Sequence, residues 1–440
     1  MLVNRQLILL IAGALGTSLP VMAQTGSEND STERWNIHFQ ATSIGQHHGW
    51  FFSPYEGDNS LPAHPESRVS LTATIFLTYR VNSWTELVID PEVAGGKGFG
   101  AVTGIAGFTN GEIPRVASAT PTLYAARAYL RNTWALGGGN EMVEAGPNQL
   151  GGPVPVRRFT LVSGKFAITD FFDNNKYSHD PRRQFMNWSL MSNGAWDYPA
   201  DTRGYTIGVM QELAMRNWSL RAANVMEPTE ANGPTFDTRL ARNRGTAVEW
   251  EGRYKPLGHA GALRLLGFLN RERAGTFRDA ILPNGTTDLA ATRRPGTEKY
   301  GVGLNFEQEI TRDIGGFARY GWSDGKTEAW AFTQIDRSVS GGTVVQGRLW
   351  HRPADNIAVA AVRNYLSGDD RRFLAAGGMG FIIGDGRLHY APESIMEAYY
   401  SWRAAKDWTF TLDYQRVANP AYNQDRGPVS VGTLRVHWER

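Results

Sequence analysis

Polar and apolar residues alternate with a period of two along much of this chain. In Arg68–Val81, Leu71, Ala73, Ile75, Leu77, Tyr79 and Val81 fall on one face, and Ser70, Thr72, Thr74, Phe76, Thr78 and Arg80 on the other. A helix repeats every 3.6 residues and cannot hold that order, whereas a strand must. Asn82-Ser83 then closes the run, and Leu87 and Ile89 face away from Glu86 and Asp90 in the next, as in a hairpin. The same alternation returns at Ala126–Arg131, Val248–Tyr254, Lys299–Glu309, Met396–Arg403 and Trp408–Gln415.

Seventeen segments read as strands: 34–44, 69–81, 84–93, 122–134, 157–168, 203–213, 217–226, 245–254, 262–271, 298–309, 315–323, 328–337, 343–352, 356–365, 394–404, 407–417 and 428–438. Many run ten to thirteen residues, longer than the ~5–6 of soluble strands and close to the ~9–11 that cross a bilayer at a tilt. Aromatic residues sit at strand ends on the apolar face: Tyr79, Trp84, Tyr124, Trp134, Tyr254, Tyr300, Trp402, Trp408, Tyr414 and Trp438. Girdles at the two lipid–water interfaces call for that placement. The expectation is an all-β, transmembrane antiparallel β-barrel over 34–440, with long extracellular loops and short periplasmic turns. Bacterial single-chain barrels have an even number of strands, so seventeen is one too many or one too few. Sixteen is expected and eighteen is the alternative. The long stretches 135–156 and 366–393 fall on opposite parity and conflict with strict loop–turn alternation.

Composition narrows the class. No apolar run beyond residue 23 approaches the ~18 residues of a membrane helix. Met1–Ala23, with Arg5, the apolar run Leu7–Leu15 and Val21-Met22-Ala23, reads as a secretory signal, and 24–33 as a polar leader. With 45 basic and 43 acidic residues there is no excess charge to neutralise nucleic acid. Zero cysteine removes disulfides, thiolate metal sites and a lipid-anchoring cysteine.

Candidate chemistry is sparse. The histidines are scattered, without a Gly-x-Ser-x-Gly or His-Glu-x-x-His motif, so no enzyme is expected. Gly95-Gly96-Lys97-Gly98-Phe99-Gly100 lacks the spacing of a phosphate loop. Asp170, Asp173 and Asn174 lack the ordered ligands of a calcium loop and read as a hydrogen-bond cluster. No metal or cofactor is expected. Charges of both signs fall on the lumen side: Glu86, Asp90, Arg127, Arg131, Lys165, Glu249, Glu251, Arg253, Arg319, Glu397 and Arg403. A ring of one sign would select ions, whereas mixed carboxylates and arginines suit neutral polyhydroxyl solutes. A general small-solute porin, or an anion-preferring one led by Arg127, Arg131, Arg319 and Arg403, is the nearest rival, and a plugged structural or adhesive barrel a further one.

Short motifs in a fixed order then suggest a family. These are Asp90-Pro91-Glu92-Val93, Gly98-Phe99-Gly100, Gly104–Glu112, Gly164-Lys165-Phe166 with Asp170–Asn175, Gln184–Asn187, Glu397–Tyr400, Asp413-Tyr414-Gln415 and Asn419-Pro420. The chain resembles the carbohydrate-selective outer-membrane porins (OprB-like) over most of its length. The resemblance implies a sixteen-stranded barrel that passes mono- and small oligosaccharides by diffusion, as a monomer or homotrimer, in contact with lipopolysaccharide and the barrel assembly machinery. It places Lys165, Asp170, Asp173 and Asn174 in a shared block, with a role at the constriction as the hypothesis. One departure stands out: the family ends on an aromatic, whereas here Glu439-Arg440 follows Trp438.

Overall fold

The computed structural model describes residues 33–113 and 118–440. The expected signal at 1–23 lies outside the described residues. Eighteen strands follow in chain order: β1 (Trp35–His48), β2 (Glu66–Arg80), β3 (Thr85–Gly96), β4 (Thr122–Ala135), β5 (Asn140–Val143), β6 (Gly152–Pro155), β7 (Arg158–Phe166), β8 (Thr206–Ala214), β9 (Trp218–Val225), β10 (Arg244–Tyr254), β11 (Gly261–Glu272), β12 (Thr297–Glu309), β13 (Ile314–Ser323), β14 (Arg337–Gln346), β15 (Asn356–Tyr365), β16 (Glu393–Ala405), β17 (Trp408–Ala418) and β18 (Val429–Glu439). All but β5 and β6 form one closed antiparallel barrel of sixteen strands. β1 and β18 close it, from Gln40 opposite Glu439 to His48 opposite Val431. Arg440 completes the seam, exchanging backbone hydrogen bonds with Phe39 at 2.7 and 2.9 Å.

The alternation is inside out relative to a soluble protein. On β2, Ile75, Leu77 and Tyr79 are exposed while Thr72, Thr74 and Thr78 are buried. Apolar side chains that face hydrocarbon lose nothing, and polar ones turn to the lumen, where they find partners. Closure also removes every unpaired strand edge from the wall.

Three expectations change. The segment 328–337 is not a strand: Trp330, Phe332 and Ile335 are buried within the loops, and the next wall strand is β14, six residues ahead of the expected 343–352. In 328–337 the apolar residues Ala329 to Phe332 are consecutive and all buried, and the N–H groups of Trp330, Ala331 and Phe332 end on the Asp197 carboxylate at 2.6–3.0 Å, not on a neighbouring strand. Removing it gives sixteen. Second, Tyr124 does not join the outer girdle. The register shifts between Asp90 and Pro91, where proline offers no N–H, and Tyr124 donates to the buried Glu92. Third, the connection 136–157 lies at the short-turn end yet is long, and it carries the β5–β6 hairpin. The parity conflict in the sequence was therefore a property of the molecule.

Candidate functional site

The long connections on the other end fold together. Phe108, Phe172, Trp188, Trp196, Tyr198, Phe277, Phe332, Phe373 and Tyr422, from different loops, share one buried apolar cluster with wall residues. Gly104 shows how tightly they approach. Its φ is +82°, and a Cβ there would lie 1.9 Å from the Leu61 nitrogen.

The loop 167–205 is tied densely to the wall, and its ties account for Arg319, Glu249 and Glu397 among the lumen-side charges. Arg319 of β13 is buried, with Nε on Asp173 Oδ1 at 3.1 Å. Its other nitrogens donate to the carbonyls of Leu190 (2.9 Å), Ser178 (2.6 Å) and Asp173 (3.1 Å). Asp173 also accepts the Asn193 N–H at 2.7 Å and the Asn305 amide at 2.6 Å. Glu249 on β10 accepts the Asp173 N–H at 2.8 Å and pairs with Arg221 at 3.1 Å. Glu397 on β16 accepts the N–H groups of Met186 and Asn187 at 2.6 and 2.9 Å. Arg435 on β18 donates to the carbonyls of Pro181 and Gln184 at 2.6 and 2.7 Å. Each wall charge meets a backbone group of a loop that has no sheet partner, which satisfies both in a dry setting.

Below this loop, toward the short turns, lies a cavity of about 410 Å³. Arg127, Arg131, Asp170, Arg182, Tyr198 and His437 line it, together with Pro147–Gln149 from the β5–β6 connection. Arg127 holds Asp170 through two parallel bonds (2.7 and 2.6 Å) and reaches Asp90 at 3.2 Å. Arg131 holds Glu86 at 2.7 and 2.9 Å and donates to the Asn148 carbonyl at 2.9 Å. Asn148 in turn donates to Asp90 at 2.8 Å. Arg182 bridges Glu92 (2.8 Å) and Glu112 (3.0 Å). The loop residue His179 also lines the cavity; burial, with the Arg319 guanidinium adding to it, lowers its pKa and favours the neutral imidazole.

A model of the family described as carbohydrate-selective porin, OprB family, matches residues 88–439. The chain belongs to this family. Among solved structures it is similar to Pseudomonas putida OprB at high pH, with a TM-score of 0.68 and 13% identity over 92% of this chain and 94% of that one. The low-pH structure of the same protein gives 0.51 at 10% identity over 92% and 93%. The outer membrane channel DcaP of Acinetobacter baumannii gives 0.53 at 10% identity over 94% and 99%. At these identities the likeness speaks to the fold. No curated protein matches the chain by sequence. As a member of the OprB family, the protein is an outer-membrane porin for carbohydrates.

In this porin the sequence-selected residues divide into groups. Asp90, Arg127, Arg131, Glu86 and Asp170 form one linked chain beside the cavity. Asp173, Glu249, Arg319 and Glu397 dock the inward loop, and Asn174 supports it by donating to the Asp170 carbonyl at 3.3 Å. Three residues belong elsewhere. Lys165 is not a lumen-wall residue: it pairs in register with Ala128 and Ile207, both exposed on the outer face, and its Nζ meets Asp201 at 3.4 Å. Arg253 sits at the short-turn end, bonded to Glu251 and the Met215 carbonyl. Arg403 is exposed beside the β16–β17 turn, donating to the Lys406 carbonyl at 2.6 Å. Strand parity carries no height along the barrel, which is why Arg253 and Arg403 ranked with the lumen set. Sequence reasoning missed Arg182, Glu92, Arg435 and Asp197. Glu92 stood in a quoted motif, whereas Arg182 and Asp197 are loop residues without any periodic signal.

Proposed function

We propose that neutral mono- and small oligosaccharides cross through the cavity under the inward loop, in contact with Arg127, Arg131, Asp170, Arg182 and Tyr198. The observation that carries this reading is the pairing of guanidinium and carboxylate groups along one wall of that cavity. Paired charges present fixed donors and acceptors together, which is what a sugar hydroxyl requires, and they leave little net field for an ion. The anion-preferring alternative is weakened because Arg319 is spent on loop carbonyls and Asp173, and Arg403 lies at a turn.

A liposome-swelling series with pentose, hexose, disaccharide and a size-matched neutral non-sugar tests this. Faster swelling for sugars than for matched non-sugars is expected. Rates ordered by size alone, or a strong anion preference in a planar bilayer, would refute it.

A further inference from the structure

The outer face of the barrel carries a second charge pattern that transport does not use. Arg337 on β14, Arg363 on β15 and Arg416 on β17 are all exposed on the outward register, near the long-loop end of their strands. Arg337 and Arg363 share the Tyr365 ring, at 4.4 and 5.7 Å from its centroid. Arg416 donates to the Ser430 hydroxyl at 3.1 Å, and Tyr414 lies 3.0 Å from that same oxygen. Among the described residues no carboxylate comes within 4 Å of any of the three guanidinium groups. Elsewhere on the same rim the charge is neutralised within the chain, as where Arg271 meets Glu298 at 2.8 Å.

Directly below is a groove of about 400 Å³ on the lipid-facing surface, lined by Val345, Ile357, Val359, Ala398, Leu412 and Tyr414. It exists because small outward side chains, Ala398 among them, lie between larger ones on neighbouring strands. Val359, Ala398 and Tyr414 are consecutive partners across β15, β16 and β17, so the groove runs across the strands. Its upper end is Tyr414, two residues and about 7 Å along the strand from Arg416. Cations facing a membrane are costly unless an anion meets them. Those at the extracellular end face the outer leaflet.

We propose that β14–β17 bind one outer-leaflet glycolipid of the lipid A type, with its phosphates on Arg337, Arg363 and Arg416 and an acyl chain in the groove. Guanidinium groups match phosphate geometry, and an acyl chain matches a narrow, nearly wholly apolar groove. A second copy of the barrel is the competing occupant, but three unpaired cations facing the same three would repel.

The test uses the full-length porin purified in detergent, with bis-phosphorylated lipid A and its dephosphorylated form as probes, read by native mass spectrometry. One bound bis-phosphorylated lipid is expected, with at least a tenfold loss in affinity for the dephosphorylated form. The triple variant R337Q/R363Q/R416Q should show the same loss, and Ala398→Phe, which fills the groove and leaves the arginines intact, a partial one. Equal binding of the two lipids by the natural chain would overturn the proposal, and so would unchanged binding by the folded triple variant. A doubled mass that Ala398→Phe abolishes would assign the face to a second copy instead. The comparison of the two lipids needs no variant to fold.

Discussion

Replacing Arg319 by Met tests how the inward loop is held. Methionine keeps much of the buried length but removes four hydrogen bonds, those to Asp173 Oδ1 and to the carbonyls of Asp173, Ser178 and Leu190. It leaves the Asp173 carboxylate buried with only the Asn193 N–H and the Asn305 amide. Breaking a buried ion pair from one side costs about 3–5 kcal/mol. That shifts the ratio of docked to undocked loop by about two to three and a half powers of ten. The barrel itself should survive, since the backbone ladders of β13 to β12 and β14 do not involve the side chain. Hydrogen exchange over residues 167–205 should rise by a comparable factor while exchange in β12–β14 stays unchanged. Single channels in a planar bilayer should show additional conductance levels as the loop leaves the lumen. Native exchange in the loop together with a single native conductance would show that Arg319 does not carry the docking.

Arg127→Gln should slow hexose swelling more than swelling by a matched non-sugar, because it removes the fork on Asp170 and the contact with Asp90; an equal effect on both solutes would count against a sugar contact. Asp197→Ala should strand the N–H groups of Trp330, Ala331 and Phe332 at about 1–3 kcal/mol each, freeing 324–336 to limited proteolysis. Glu227, in the loop after β9, has its pKa raised well above the ordinary carboxylate range by burial first and by the nearby Glu272 and Asp197 next. The folded loop therefore holds a proton that the unfolded one has lost, and stability falls as pH rises from the ordinary carboxylate range through the raised value. Exchange across 226–243, corrected for its intrinsic pH dependence, should be faster at pH 8 than at pH 5 in the natural chain and nearly equal in Glu227→Gln.

By itself the sequence determined the wall. Period-two alternation of this length has one physical solution in a membrane, because unpaired backbone groups are intolerable there and only closure pairs them all. Leu71–Tyr79 and Trp408–Tyr414 therefore announced strands and their outward faces, while the count of seventeen left one segment too many. The segment 328–337 was misread, since a short apolar run such as Ala329–Phe332 also suits a loop whose side chains enter a core and whose N–H groups meet a carboxylate. Tertiary structure decided everything that depends on height along the barrel and on which loop meets which wall. Parity could place Arg127, Arg319 and Arg403 on one face, but not show that the first borders a cavity, the second clamps a loop and the third sits at a turn. Asp197 and Arg182 carried no signal at all, for a loop residue's partner is set by three-dimensional closure and not by spacing. The arginines of β14, β15 and β17 lie far apart in the chain, and the barrel alone brings them to one rim.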